Sequence, residues 1–263
     1  MSQDEEQEAA AMLVGQFGVD GLLIAGDFPG DTTTIQQILE YCPHVIALCR
    51  SLDPHVVPVV RIDDRQATEQ LLKYLLGLGH RRIGFIGLER PGSFTHRYVA
   101  YRDFMAAHDL LVSERLVGLV NLGSYFPSLD EFVDLGVELA HRVLGSGEPV
   151  DALFCACDAL ALGALRVARE RGLVVPRDLS VVGIDDIPLA RYCTPSLTTM
   201  RQPVVEMGRH AVTLLIDVIE GAVARPSEAV LFPAELVVRE SAARPSTAAG
   251  EAAAALGVDR NIR

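Results

Sequence analysis

Two adjacent carboxylates, Asp185 and Asp186, end the apolar run LSVVGI at residues 179–184. A run of that length without alternation suits a strand covered on both faces of a parallel sheet. In open parallel sheets, ligands bind beyond the carboxyl ends of the strands. An acidic pair there can accept hydrogen bonds from a polyhydroxylated or cationic ligand. The plainer reading has one Asp capping local backbone and the other solvated. Arg97 lies early on a helix, after the loop at residues 89–96. Its guanidinium either grips a carboxylate, a phosphate or vicinal hydroxyls, or forms a surface salt bridge. Cys155 and Cys157 stand at strand spacing, with both thiols on one face. Together with Cys49 they could form a soft-metal site, but small apolar residues of a buried strand are the commoner case. GLERPGS at 87–93 has glycines after a strand but not the phosphate-loop pattern, and no nucleophile elbow, H-E-x-x-H or dinucleotide fingerprint occurs. Ser93 and His96 lack a third orienting residue. The expectation is therefore no catalysis, no cofactor and no metal.

The elements that must position these residues alternate regularly. Apolar strands are expected at 19–26, 44–49, 56–62, 82–87, 116–120, 152–156, 180–184 and 234–238. Helices are expected at 4–17, 32–41, 66–78, 94–108, 129–144, 159–171 and 204–219. In the first, Ala9, Met12, Leu13 and Phe17 share a face. Pro58 demotes its strand towards an edge. Asp63 and Asp64 offer a cap for the third helix, and Asp158 for the sixth. Residues 195–203 form an extended polar segment, read as a linker leaving the sheet. The strand–helix rhythm predicts an α/β protein with doubly wound parallel sheets.

Bulk properties narrow the function. The chain has 263 residues, 49% of them hydrophobic, enough for one large domain or two lobes. Its 23 Lys and Arg against 35 Asp and Glu give a net charge of −12. Such a surface repels phosphate backbones, and no basic strip offsets it. The acidic N-terminus lacks a signal-peptide layout, no apolar run has membrane-spanning length, and five scattered cysteines show no disulfide rhythm. A cytoplasmic protein without membrane contact is expected. Residues 242–263 are rich in Ala, Pro and Ser and are expected to be a disordered tail.

The blocks VDGLLIAG (19–26), LGHRRIGFIG (78–87), RYVAY (97–101), residues 153–203 and PAELVVRES (233–241) resemble the effector-binding core of the LacI/GalR family of bacterial transcriptional regulators. The resemblance covers residues 5–241 and is most specific over 153–203. It implies two periplasmic-binding-protein-like (type I) lobes joined by three crossings, near Asp63, 198–203 and 230–233. The N-lobe would be residues 1–63 plus 203–229, and the C-lobe 64–202 plus 231–241. It also implies a small effector between the lobes, sugar or purine-like, and a homodimer when intact. Operator DNA would be reached through a helix-turn-helix. That unit, a hinge and a first strand–helix–strand precede the position of Gln7 in intact members, so the N-lobe is expected to be incomplete and the reading frame to extend upstream. Arg97, Asp185 and Gln202 match effector-contacting or polar cleft positions. Cys49 and Cys157 occupy effector-site positions where the family commonly has Asp and Asn, so the effector is expected to be less hydroxylated than a hexose. A sugar or solute receptor of a transport system is the alternative, sharing the same core.

Overall fold

The computed structural model describes residues 3–26, 32–49, 51–123, 125 and 127–245, without the side chains of 3–7, 32 and 33. Ten strands among these residues form two sheets. In the first, β1 (Leu22–Ala25), β2 (Val45–Leu48), β3 (Val59–Ile62) and β9 (Val230–Phe232) pair in that order, all parallel. The second has six strands: β10 (Glu235–Val237), β8 (Thr198–Arg201), β7 (Ser180–Asp185), β6 (Ala152–Cys155), β4 (Ile83–Leu88) and β5 (Val117–Val120). Only the β10–β8 pair is antiparallel. Every residue of β4 and β6 is buried, as expected of strands covered by helices on both faces.

Helices α1 (Gln3–Phe17), α2 (Thr32–Tyr41) and α7 (Val204–Ile219) belong to the first sheet. Helices α3 (Asp64–Leu78), α4 (Ser93–Ala107), α5 (Leu129–Leu144) and α6 (Asp158–Glu170) belong to the second. The chain passes between the sheets three times: at Asp63, at Gln202 and Pro203, and at residues 233–234. Strand β1 ends its sheet, and its outer edge has no partner among the described residues. Asp63 caps α3 by accepting from the Gln66 N–H at 3.0 Å, and Gly79 ends that helix in the left-handed conformation.

Helix α1 turns Ala10 and Val14 towards the core, whereas Met12, Leu13 and Phe17 are exposed. Several expectations are corrected. Pro58 does not place its strand at an edge. It lies one residue before β3, and its carbonyl still accepts from the Ala47 N–H at 2.9 Å, so β3 sits inside the sheet. Residues 198–201 are no linker: they form β8 between β7 and β10. Their polar groups are satisfied there, Thr198 Oγ1 accepting from the Arg239 N–H and Thr199 Oγ1 donating to Asp158. The start of the expected tail is docked. Ala242 is buried, and the Ala243 carbonyl lies 2.9 Å from His80 Nε2 and accepts from Ser180 Oγ. Residues 246–263 of that tail lie outside the described residues.

Helices α5 and α6 pack backbone to backbone, which fixes where α6 begins beside the second sheet. A Cβ at Gly163 would lie 2.3 Å from the Val133 carbonyl oxygen, and one at Gly136 would lie 2.4 Å from that of Leu160. Neither obstacle is a side chain that can turn aside. Gly163→Ala should therefore destabilise the fold by about 2–3 kcal/mol through overpacking. Urea unfolding followed by circular dichroism measures it, and a midpoint equal to wild type would contradict this packing.

Candidate functional site

The second sheet reverses its strand order between β4 and β6, and the loops after those strands open a crevice at their carboxyl ends. Helix α4 starts there, and Arg97 on its first turns points into the protein with 4% exposure. A guanidinium so buried needs partners on every side. Its Nε donates to Asp64 Oδ1 at 2.8 Å and one NH2 group donates to the Ala156 carbonyl at 2.5 Å. The same NH2 group lies 3.6 Å from Asp185 Oδ1. Burial opposes the charge on Arg97, but Asp64 and Asp185 outweigh it and hold the guanidinium charged.

Asp64 is the first residue of α3, at the crossing out of the first sheet, and is 1% exposed. Its Oδ2 accepts from Arg61 at 3.2 Å and lies 3.7 Å from His96 Nδ1. Burial alone would raise its carboxyl, but Arg97 first, then His96 and Arg61, bring it below the usual range. The adjacent acids Asp63 and Asp64 thus divide their work between cap and buried counter-ion.

The second acidic pair divides as well. Asp185 ends β7 with φ of 130°, and Asp186 follows with φ of 56°, so the backbone twists and the side chains diverge. Asp185 faces the cleft and accepts from Gln202 Nε2 at 2.5 Å. Burial raises its carboxyl, against the pull of Arg97 and Gln202. Asp186 turns towards the crossings, accepting from Arg201 Nε at 2.7 Å and from Arg239 at 2.5 Å. Burial would raise it too, but these two guanidinium groups keep it low. Asp186 is therefore a structural tie between β8 and the segment after β10, and neither Asp of the pair is simply solvated.

Asp158 corrects a further expectation. Cys157 holds the N-cap position of α6, whereas the Asp158 side chain reaches away from the helix, accepting from Thr199 Oγ1 at 2.5 Å and the Ile187 N–H at 3.0 Å. Burial first, and the Asp185 carboxylate second, push it up to about 7.

All five residues picked out by sequence line one cavity of about 520 Å³: Cys49 at the end of β2, Arg97, Cys157, Asp185 and Gln202 at the second crossing. Arg61, Phe94 and Phe132 join them from both sides of the crossings. Nothing in the sequence singled out Arg61, Phe94 or Phe132, and Asp64 was visible only as a cap. The Cys157 thiol is pushed well up by burial and Asp185, and Cys155 is wholly buried beneath it. Among the described residues no three His, Cys, Asp or Glu side chains are grouped to hold a metal ion.

A periplasmic binding protein-like domain model matches residues 72–242. The HTH-type transcriptional repressor CytR of Escherichia coli strain K12 is 32% identical over 241 residues, covering 91% of this chain and 67% of the repressor. The solved complex of the transcriptional regulator CelR with cellobiose is 33% identical, covers 90% of this chain and 70% of its own, and superposes with a TM-score of 0.74. A sugar-binding regulator of the LacI family from Escherichia coli, solved with phosphate, is 28% identical over 93% of this chain and 84% of its own, with a TM-score of 0.76.

The Asp158 environment sets a pH dependence. Its folded carboxyl titrates near 7, above the ordinary value of 3.8. Between those values the native state holds a proton that the unfolded chain has lost, so stability is present at low pH and falls as pH rises to 7. The slope from this one group reaches about 1.4 kcal/mol per pH unit at most. Asp158→Asn should flatten the melting temperature of the protein across pH 5–7 relative to wild type. Parallel slopes in calorimetric melts of the two proteins would rule the assignment out.

Proposed function

The chain belongs to the LacI family of transcriptional regulators, and on that premise we propose that it is the effector-sensing core of such a regulator, with its effector held in the cleft beside Arg97 and Asp185. One observation carries the reading: the polar floor of the cavity is built from the crossings themselves. Asp64 follows the first crossing, Gln202 sits in the second, and both bond to groups facing the cavity. A ligand seated there touches the hinge, so its affinity differs between open and closed arrangements of the two sheets. That differential affinity is what shifts their populations.

In this reading, the relatives' names support transcriptional control over transport, and operator DNA is contacted by a helix-turn-helix outside these residues, with the core paired as a homodimer in the cytoplasm. No helix among the described residues is long and apolar enough to cross a membrane. The net charge of −12 leaves these residues a poor surface for DNA. The CelR structure holds cellobiose, which makes a saccharide one candidate effector. We read the cleft as binding rather than transforming its ligand, since the charged groups around Arg97 serve one another as counter-ions.

Arg97→Lys tests the site. It keeps the charge but loses the planar fork that spans Asp64 and the Ala156 carbonyl. A saccharide, nucleoside or amide that raises the melting temperature of the wild type by mass action should lose about tenfold or more in calorimetric affinity in this variant. Gln202→Ala, away from the buried pair, should weaken the same ligand. Equal affinity in all three proteins would place the binding site elsewhere.

A further inference from the structure

Much of the cavity's polar capacity is already spent within the fold. Asp186 has both oxygens taken by Arg201 and Arg239, and its side chain is only 2% exposed. Arg61 donates through the same NH2 group to Asp64 and to the Ile62 carbonyl, and Gln202 Nε2 is committed to Asp185. Cys49 and Cys157 bring thiols, which are weak donors and acceptors. Among the described residues, Arg61 keeps its Nε and other NH2 group and Gln202 its amide oxygen, but the strongest donor and acceptor side by side are at Arg97 and Asp185. The Arg97 NH2 group that donates to the Ala156 carbonyl lies 3.6 Å from the Asp185 carboxylate, whose side chain is 27% exposed, and the other NH2 group has no hydrogen-bond partner among the described residues. A guanidinium beside a carboxylate offers one donor edge and one acceptor edge, side by side.

Apart from Ser93, the rest of the wall is apolar. Phe94 and Phe132 stack with ring centroids 6.0 Å apart and planes 14° from parallel. Leu129, Ile187, Pro188 and Val204 continue the wall towards the mouth, where Leu129 and Val204 are 48% and 57% exposed. A ring carrying hydroxyls on all sides would bury several of them against this wall without partners, and each would lose affinity. A flat apolar body would gain from the same wall.

We propose that the cleft takes an amphipathic ligand, an apolar ring-bearing body with a single donor–acceptor head such as a primary carboxamide, in place of a polyhydroxylated sugar. The carbonyl of the head accepts from the Arg97 NH2 group, and its N–H donates to Asp185. The body lies along Phe94, Phe132 and Leu129. This assignment rests on reading the cleft as the effector site.

The test is calorimetric titration of the full chain with naphthalene carboxamide, its N,N-dimethyl derivative, glucose and cellobiose. The carboxamide should bind. The dimethyl derivative, without a donor for Asp185, should bind about tenfold more weakly or worse. The saccharides should give no heat at millimolar concentration. Leu129→Ser, at the exposed mouth, and Phe132→Leu, which keeps the core filled, should both weaken the carboxamide. Saccharide binding with an inert carboxamide overturns the proposal and leaves the sensing function standing. Carboxamide binding unchanged in both variants overturns it as well, by putting the ligand outside the cleft. If neither class binds, both the ligand class and the sensing function fall.

Discussion

A single buried positive charge constrains more of this structure than any other group. Taking a guanidinium out of water is tolerable only where carboxylates and carbonyls replace the lost hydration. Arg97 on α4 finds these on three other elements: Asp64 at the start of α3, the Ala156 carbonyl beyond β6, and Asp185 at the end of β7. Those elements must therefore end or begin within hydrogen-bond reach of one point. The site of convergence also explains why Asp64 is ionised although it is 1% exposed. The N-terminus of α3 adds its own field to that of the guanidinium, since an anion at a helix start is favoured by the helix dipole.

The hinge is stabilised by a second ionic knot of opposite polarity, an anion among cations. Asp186 ties Arg201 of β8 to Arg239 beyond β10, and Arg201 reaches on to Glu235 at 3.3 Å. Two of the three crossings are thereby fastened to the end of β7. The strained backbone at Asp185 and Asp186 is what lets neighbouring carboxylates serve both knots. One faces the ligand cavity and the other faces the crossings. Movement of the first has a covalent path of one peptide unit to the second, so cleft and hinge share a lever.

Much of the fold was legible because its strands declare themselves. β8 and β10 aside, each strand of the second sheet reads as an apolar run, and the cap of α3 at Asp63 stands at readable spacing. What misled was polarity judged residue by residue. Thr198 and Thr199 look like linker residues, yet each hydroxyl has a partner about 41 positions away in the chain, and their backbone completes the sheet. Helix α1 shows the same limit: its shared apolar face of Met12, Leu13 and Phe17 is exposed, and the core takes Ala10 and Val14 instead. At the site, position could be read but partnership could not. Arg97 and Asp185 were visible from the resemblance. The counter-ion Asp64, 33 residues from Arg97, and the apolar wall of Phe94 and Phe132 needed the packed chain to be seen.

The composition of the cleft follows from the demands of its scaffold. Four carboxylates gather around it, but the fold has already consumed most of their chemistry. Asp64 neutralises Arg97 and Arg61, Asp186 fastens the crossings, and Asp158 bonds Thr199 and the Ile187 N–H beneath Asp185. Of the four, Asp185 lines the cavity beside Arg97 with a partly exposed side chain. Thiols at Cys49 and Cys157 withhold the hydrogen bonds that an Asp or Asn would supply there. A cleft so arranged recognises orientation through one charged corner and gains affinity from apolar contact elsewhere. Because that corner is also the meeting point of the crossings, recognition and lobe movement act on the same few atoms.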